Sequence, residues 1–376
     1  MQRFLTLLLG CLLVASGLAQ AAVPTPPKVA ARAYILLDFD SGRIIAEKNA
    51  NQRVEPASLT KIMAGYVIDK ELAAGNISLS DQVRISKKAW KMPGSRMFIE
   101  VDTFVSVEDL IKGIIIQSGN DATVAMAEYV AGSEDAFVSL MNGYARELGM
   151  TGTHFVNATG LPHENHYTTA RDLAILSRAL IREFPEMYRL YAEKEFTYNG
   201  IRQYNRNKLL WQDKYVDGIK TGHTESAGYC LAASAKRDGM RLIAIVLGTK
   251  SENARASEAQ KLLTYGFRFF ETHKLYRAGE TLTQARVWKG EHETVPLGLA
   301  EDLFITIPRG SYDKLKATMR VAKKIIAPVK AGQRFGSVDI ALAGENVAQR
   351  DLVALDSVGE GGFFGSLVDE VQLMFE

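Results

Sequence analysis

At 376 residues the chain exceeds one ordinary hydrophobic core, so two or more domains are expected. Its composition, 47% hydrophobic and 23% charged, is that of a folded globular protein, and a formal charge of +2 gives no electrostatic basis for a nucleic-acid partner. Neither zinc-type cysteine spacing nor a phosphate-binding glycine motif is present, so no metal or other cofactor is expected.

The first residues read as an export signal. Arg3 supplies a positive start, "FLTLLLGCLLVASGL" is apolar, and Ala19-Gln20-Ala21 offers a small-x-small cleavage site. The apolar run is short for a spanning helix, and it continues well past Cys11, unlike a lipoprotein signal. Removal of residues 1–21 leaves Cys230 as the sole cysteine, so no internal disulfide is expected, and a bacterial envelope compartment fits.

A Pro- and Ala-rich lead-in is followed by "AYILLDFD", a turn at Ser41-Gly42 and "RIIAEKNA", which together predict a hairpin. Pro56 to Ala73 has helical spacing, with Leu59, Ile62, Met63, Tyr66 and Val67 set for burial and Gly75 as the stop. "SVEDLIKGIIIQ" and "DATVAMAEYVAG" predict two helices joined by Ser118-Gly119-Asn120, and "TTARDLAILSRALIREF" predicts another. Three strands follow in "VDGIKTGHT", "AGYCLAASAKR" and "MRLIAIVLG", the last two joined by Asp238-Gly239. A helix over "RASEAQKLLTYGFRFFETH" closes the region.

This order predicts an α/β (α+β) domain over residues 22–274, an antiparallel sheet covered by helices. Residues 275–360 change texture to short runs such as "ARVWKG", "DLFITIPRG", "ATMRVAKKIIAPV", "FGSVDIALAG" and "RDLVALDSV", the pattern of a small all-β domain. In the tail, residues 361–376, Phe364, Leu367, Val368, Val371, Met374 and Phe375 share one helical face. Such a helix is too short to span a bilayer but suits its surface; packing back on the β domain is the other reading.

Ser58-Leu59-Thr60-Lys61 places a hydroxyl and an amine on one helical face. A serine needs a base to become a nucleophile, and a lysine base must be neutral part of the time, which burial or a second cation achieves. Pro56 in the first turn puts Ser58 at the positive end of the helix dipole. Ser311-Tyr312-Asp313-Lys314 repeats the spacing inside the β-rich region, where it reads as a surface loop. Ser118-Gly119-Asn120 offers Ser118 as a proton relay and Asn120 as a partner for a substrate amide or for the base lysine. The plainer role is a helix N-cap, and Ser251-Glu252-Asn253 repeats the pattern by chance. Lys220-Thr221-Gly222 on a strand can bind a carboxylate and admit a substrate backbone, with the His223 N–H joining that of Ser58 as oxyanion donors. An exposed edge strand is the plainer reading. "HENH" at His163–His166 is one residue short of a His-Glu-x-x-His zinc motif and follows Pro162, so it reads as a turn.

Ser-x-x-Lys, a serine-led triplet and Lys-Thr-Gly in this order form a known signature set. "EPASLTKIM", "QSGNDA" and "DGIKTGHT" resemble the active-site motifs of low-molecular-mass penicillin-binding proteins that act as D-alanyl-D-alanine carboxypeptidases. "HFVNATGLPHENHYTTARDLA", "FTYNGIRQYNRNKLLW" and "LLTYGFRFFETH" extend the likeness, nearest to the type-5/type-6 branch. The resemblance implies a β-lactamase/transpeptidase-like fold, with Ser58 acylated, Lys61 its base and Ser118 the relay. Asn120 would line the cleft, Lys220 and Thr221 would hold the terminal carboxylate, and Arg206 and Arg255 would contribute on that side. It further implies a peptidoglycan pentapeptide as substrate, β-lactam antibiotics as covalent inhibitors, and a place in the periplasm, peripheral to the inner membrane through the tail. The segment "KMPGSRM" is shorter than the matching type-5 loop, and the tail is acidic rather than basic, which predicts mainly hydrophobic attachment. A class A β-lactamase would need a Glu-x-x-Leu-Asn loop, and no Leu-Asn pair occurs. A DD-endopeptidase or a binding protein with little turnover are the remaining alternatives.

Overall fold

The computed structural model describes residues 23–362 together with 369, 370 and 372, so the export segment and most of the tail lie outside the described residues. A five-stranded antiparallel sheet runs in the order Ile44–Lys48, Ala33–Asp38, Met240–Thr249, Gly228–Arg237, Val216–Thr224. Period-two alternation divides its apolar residues between two cores. Ile35, Ile243 and Ile245 enter one, while Leu36, Leu242 and Ala244 enter the other. The first core holds the helices inserted between the hairpin and the later strands. The second is closed by the helix Glu252–Phe269. Both faces are therefore covered, as strands apolar on both sides require. Asp238 and Gly239 both take positive φ, which matches a two-residue hairpin turn to the strand twist.

The segment beginning at Pro56 opens as a single 3-10 turn, Ala57–Leu59, and continues as the α-helix Thr60–Ala73, with Gly75 just beyond at positive φ. This helix is apolar nearly all round, and Ile62, Met63, Tyr66, Val67 and Ile68 are all buried. It is thus the central strut of the first core.

Four expectations need correction. A helix not anticipated from the sequence spans Glu134–Glu147, its N-terminus capped by Ser133, which accepts from the Ala136 N–H. The helix expected to reach His273 stops at Phe269, and Phe270–Tyr276 is a strand paired with Leu303–Pro308. Tertiary bonding decides this: Thr272 donates to the buried Asp38, and Thr272 and Ser41 both meet the Thr306 hydroxyl, tying the first sheet to the β domain. In the β-rich region Thr283–Arg286 is a strand, but the following Val287–Gly290 leaves the ladder, and an unexpected strand, Thr294–Gly298, pairs beside it. The resulting five-stranded sheet surrounds Val295, Leu297, Val338, Ile340 and Leu352. Ser311 is buried rather than in a surface loop, yet Lys314 is exposed; the Lys314 N–H donates to the Ser311 carbonyl at 3.1 Å, and no side-chain hydrogen bond joins the two among the described residues.

Asp69, on the central helix two turns past Lys61, is buried, and burial pushes its carboxyl up from 3.8 to about 8. The folded state then keeps a proton that the unfolded chain releases, so this residue subtracts stability as the pH rises from 3.8 to about 8. Asp69→Asn is expected to stabilise the protein at pH 7 by ~1 kcal/mol or more, with the gain shrinking towards acid pH. Thermal melts across pH check this; parallel curves for parent and variant would contradict it.

Candidate active site

Four separated segments meet at the start of the central helix. Lys61 is 1% exposed, and its Nζ lies 3.2 Å from Ser58 Oγ. The same amine donates to Asn120 Oδ1 at 2.7 Å and to the Thr159 carbonyl at 2.7 Å. Asn120 Nδ2 donates to the Pro93 carbonyl at 2.6 Å, which fixes the amide so that its oxygen faces the lysine. A neutral amine has two N–H bonds and a lone pair. With two fixed acceptors taking the hydrogens, the lone pair is left for the Ser58 hydroxyl.

The electrostatics favour that neutral form. Burial is the main cause of a Lys61 pKa lowered to about 7; nearby Arg206 lowers it further, and Asp121 opposes. Asp121 is itself buried and occupied, accepting from the N–H groups of Met97 and Phe98 at 3.0 and 2.9 Å. It thereby pins the loop that follows Trp90 against the helix Asn120–Ala131. Pro93 O and Ser95 O, bonded to Asn120, hold the same loop.

Ser118 is not a helix N-cap. It sits at φ +64 after a widened turn, Gly113–Gln117, and its hydroxyl is 2% exposed with no hydrogen-bond partner among the described residues. The chance copy, Ser251, does cap its helix by accepting from the Ala254 N–H. The structure thus separates the two serine-led triplets on a single observable, whether the hydroxyl is already used.

Lys220, Thr221 and Gly222 lie on Val216–Thr224, an edge strand by topology but a buried one, because the Ala57–Leu59 turn covers it. A Cβ on Gly222 would come within 3.1 Å of the Pro56 carbonyl and 3.2 Å of the Leu59 N, so glycine permits this approach. Glu55 accepts from Ser226 at 2.5 Å, fastening the far end of the strand to the same segment. Lys220 is fully buried, and burial together with Lys61, Arg206 and Arg255 holds its pKa well below the ordinary value. None of Lys220, Arg206 and Arg255 has an ion-pair partner among the described residues. Arg255 donates to the Gly222 carbonyl at 3.2 Å and reaches the Arg206 carbonyl at 3.5 Å, behind the strand. The His223 ring stacks on Tyr229 at 3.9 Å, so its side chain is spoken for and only its backbone is on offer.

The sequence residues Ser58, Lys61, Asn120 and Lys220 are therefore in one place, joined by Thr159 and Asp121, which sequence reading missed. Thr159 contributes only its carbonyl, which no residue type signals. The turn that presents it is built by Asn157, whose Oδ1 accepts from the Gly160 N–H at 2.7 Å, and an Asn-x-x-Gly turn was readable.

Comparison with known proteins gives a consistent result. Residues 20–251 match the family described as D-alanyl-D-alanine carboxypeptidase, and residues 270–360 match the penicillin-binding protein 5 C-terminal domain. The chain is 49% identical to the D-alanyl-D-alanine carboxypeptidase DacC of Escherichia coli, over 93% of this chain and 89% of that one. Its fold is similar to penicillin-binding protein 5 from Haemophilus influenzae, with a TM-score of 0.87 and 44% identity, covering 90% of this chain and 100% of the other. It is also similar to penicillin-binding protein D2 from Listeria monocytogenes in an ampicillin-bound form, with a TM-score of 0.60 and 29% identity over 65% and 100% of the two chains.

With its base poised at about 7, the acylation rate of Ser58 by a fluorescent penicillin should climb with pH and level off above that value. Below it the rate should fall about tenfold per pH unit. Stopped-flow labelling between roughly pH 5 and 9 measures this, and a flat profile would contradict the assignment.

Proposed function

The chain belongs to the D-alanyl-D-alanine carboxypeptidase family and is a hydrolase of that class, and from this premise we propose how its residues divide the work. The neutral Lys61 amine takes the Ser58 proton while Ser58 Oγ attacks the carbonyl of the penultimate D-alanine in a peptidoglycan pentapeptide. The backbone N–H groups of Ser58 and His223 receive the oxyanion. As the intermediate collapses, the leaving D-alanine nitrogen takes a proton through the Ser118 hydroxyl, and an ester on Ser58 remains. Water, deprotonated at the same amine, then cleaves that ester and restores Ser58. A β-lactam acylates the same oxygen through its strained amide, and the ring's own nitrogen takes the proton.

The observation that carries this reading is the 3.2 Å contact between Lys61 Nζ and Ser58 Oγ, with the amine's other directions taken by pure acceptors. Lys220 and Arg206, without ion-pair partners among the described residues, supply with the Thr221 hydroxyl the site for the substrate's terminal carboxylate. An arriving carboxylate would raise the Lys220 pKa and draw a proton onto it. Arg255 supports this side through the Gly222 and Arg206 carbonyls and through its charge. Asn120 aligns the base and walls the cleft.

We further propose export to the periplasm, with residues 1–21 removed, and attachment to the inner-membrane surface through the apolar face of the tail. Asp369 and Glu370 pair with Arg286 and Lys289 of the β domain, at 3.6 and 3.3 Å, so acidic groups of the tail are neutralised within the protein. Among the described residues no helix is long and apolar enough to cross a membrane.

Free D-alanine released from a pentapeptide is the direct assay. Ser58→Ala should abolish both release and penicillin labelling, whereas Ser311→Ala should leave both intact; labelling of Ser58→Ala would remove that serine from its role. Lys220→Ala should raise KM and slow acylation by roughly a hundredfold, and unchanged kinetics would contradict carboxylate recognition there. Deleting residues 363–376 should shift the protein from the membrane fraction to the soluble one, and no shift would count against the anchor.

A further inference from the structure

The buried histidine of the "HENH" turn is used by nothing above. His166 is 2% exposed, and its Nε2 lies 2.8 Å from Thr60 Oγ1, one residue before Lys61. The Val156 N–H donates to His166 Nδ1 at 3.1 Å. An acceptor at Nδ1 fixes the tautomer: the proton is on Nε2, and the ring donates to the threonine. Burial, with His154 and His163 adding to it, lowers the His166 pKa to about 4, so the ring stays neutral and keeps this polarity at working pH.

The turn it reaches is one that needs holding. Ala57, beside the nucleophile, has φ +48, a conformation that costs a non-glycine residue about 1 kcal/mol or more and persists only where its surroundings enforce it. Two contacts from the same loop do so. Gly160, at φ +86, lies so close that a Cβ there would fall inside the Ala57 carbonyl, and the same Cβ position is 2.9 Å from Thr60 Oγ1. A pair of backbone bonds between Val54 and Thr168, two residues past His166, locks the approach from the other side. The loop therefore grips Ser58 from before and after, and two side-chain links join it to the turn: Lys61 to the Thr159 carbonyl, and His166 to Thr60.

We propose that His166 is a positioning residue for acylation: it joins the Val156 backbone to the Thr60 hydroxyl and so sets the turn that keeps Ser58 Oγ against the Lys61 amine. This rests on reading Ser58 and Lys61 as nucleophile and base. The link moves no proton in the reaction; it holds the distance over which one moves.

The test measures reversible binding and acylation separately with a fluorescent penicillin, in the full chain, for Thr60→Val, Thr60→Ser, His166→Phe, His166→Gln and the Thr60→Val/His166→Phe double variant, with melting temperatures alongside. Thr60→Val and His166→Phe should each slow the acylation step roughly ten- to a hundredfold with little change in reversible binding. Thr60→Ser, which keeps the hydroxyl, and His166→Gln, which keeps an acceptor and a donor, should recover most of the rate. The double variant should be no slower than the slower single one, because both remove the same link. Acylation of Thr60→Val within twofold of the parent, or losses that multiply in the double variant, would overturn the proposal. If a His166 variant does not fold, the Thr60→Ser and Thr60→Val pair decides alone. Ser58→Ala separates the two readings. If it still labels, the nucleophile assignment fails; if it is silent while Thr60→Val reacts normally, only the His166 link fails.

Discussion

The proposed catalytic arrangement depends on where the hydrogens of one amine go. Lys61 meets three oxygens, and two of them, Asn120 Oδ1 and the Thr159 carbonyl, can only accept. Held that way, the uncharged amine has one direction left, and Ser58 occupies it. A charged ammonium would satisfy the same contacts with three hydrogens, so geometry alone does not choose between the forms. Burial does, because water no longer stabilises the charge.

The fold serves that choice at some energetic cost. Lys61 rides on a helix apolar nearly all round, which rigidifies the base and dries its surroundings. Arg206, on the segment before the edge strand, disfavours a charge on Lys61, and Lys61 and Arg206 in turn disfavour one on Lys220. Neither Arg206 nor Lys220 has an ion-pair partner among the described residues, which suits both to the external carboxylate of the proposed reading. On the proposed function, one charge distribution serves two purposes: it keeps the base neutral before substrate arrives and then gives the substrate its anchor.

Much of this was legible in the sequence, for identifiable reasons. The central helix, the hairpin at Ser41-Gly42 and the three later strands all carry their period plainly, and Asp238-Gly239 has the turn chemistry its φ angles demand. Ser58, Lys61 and Lys220 were legible as types at spacings. What remained hidden was tertiary. Thr159 acts through a carbonyl every residue owns, and Asp121 acts through backbone N–H groups distant in sequence. The helix Glu134–Glu147 was missed although Ser133 signalled its start, and Phe270–Tyr276 was drawn into a helix because its pairing partner lies some thirty residues on, at Leu303–Pro308. His166 reads in the sequence as part of a turn, and only the tertiary fold brings its ring to Thr60.

The protonation state of Lys61 can be observed without any substrate. A carbon-13 NMR titration of its ε-methylene, assigned by the signal's loss in Lys61→Arg, reports the charge on the amine directly. A midpoint of about 7 is the expected result. A midpoint at the ordinary lysine value of 10.5 would mean that burial does not neutralise the amine, and Lys61 could not serve as the base.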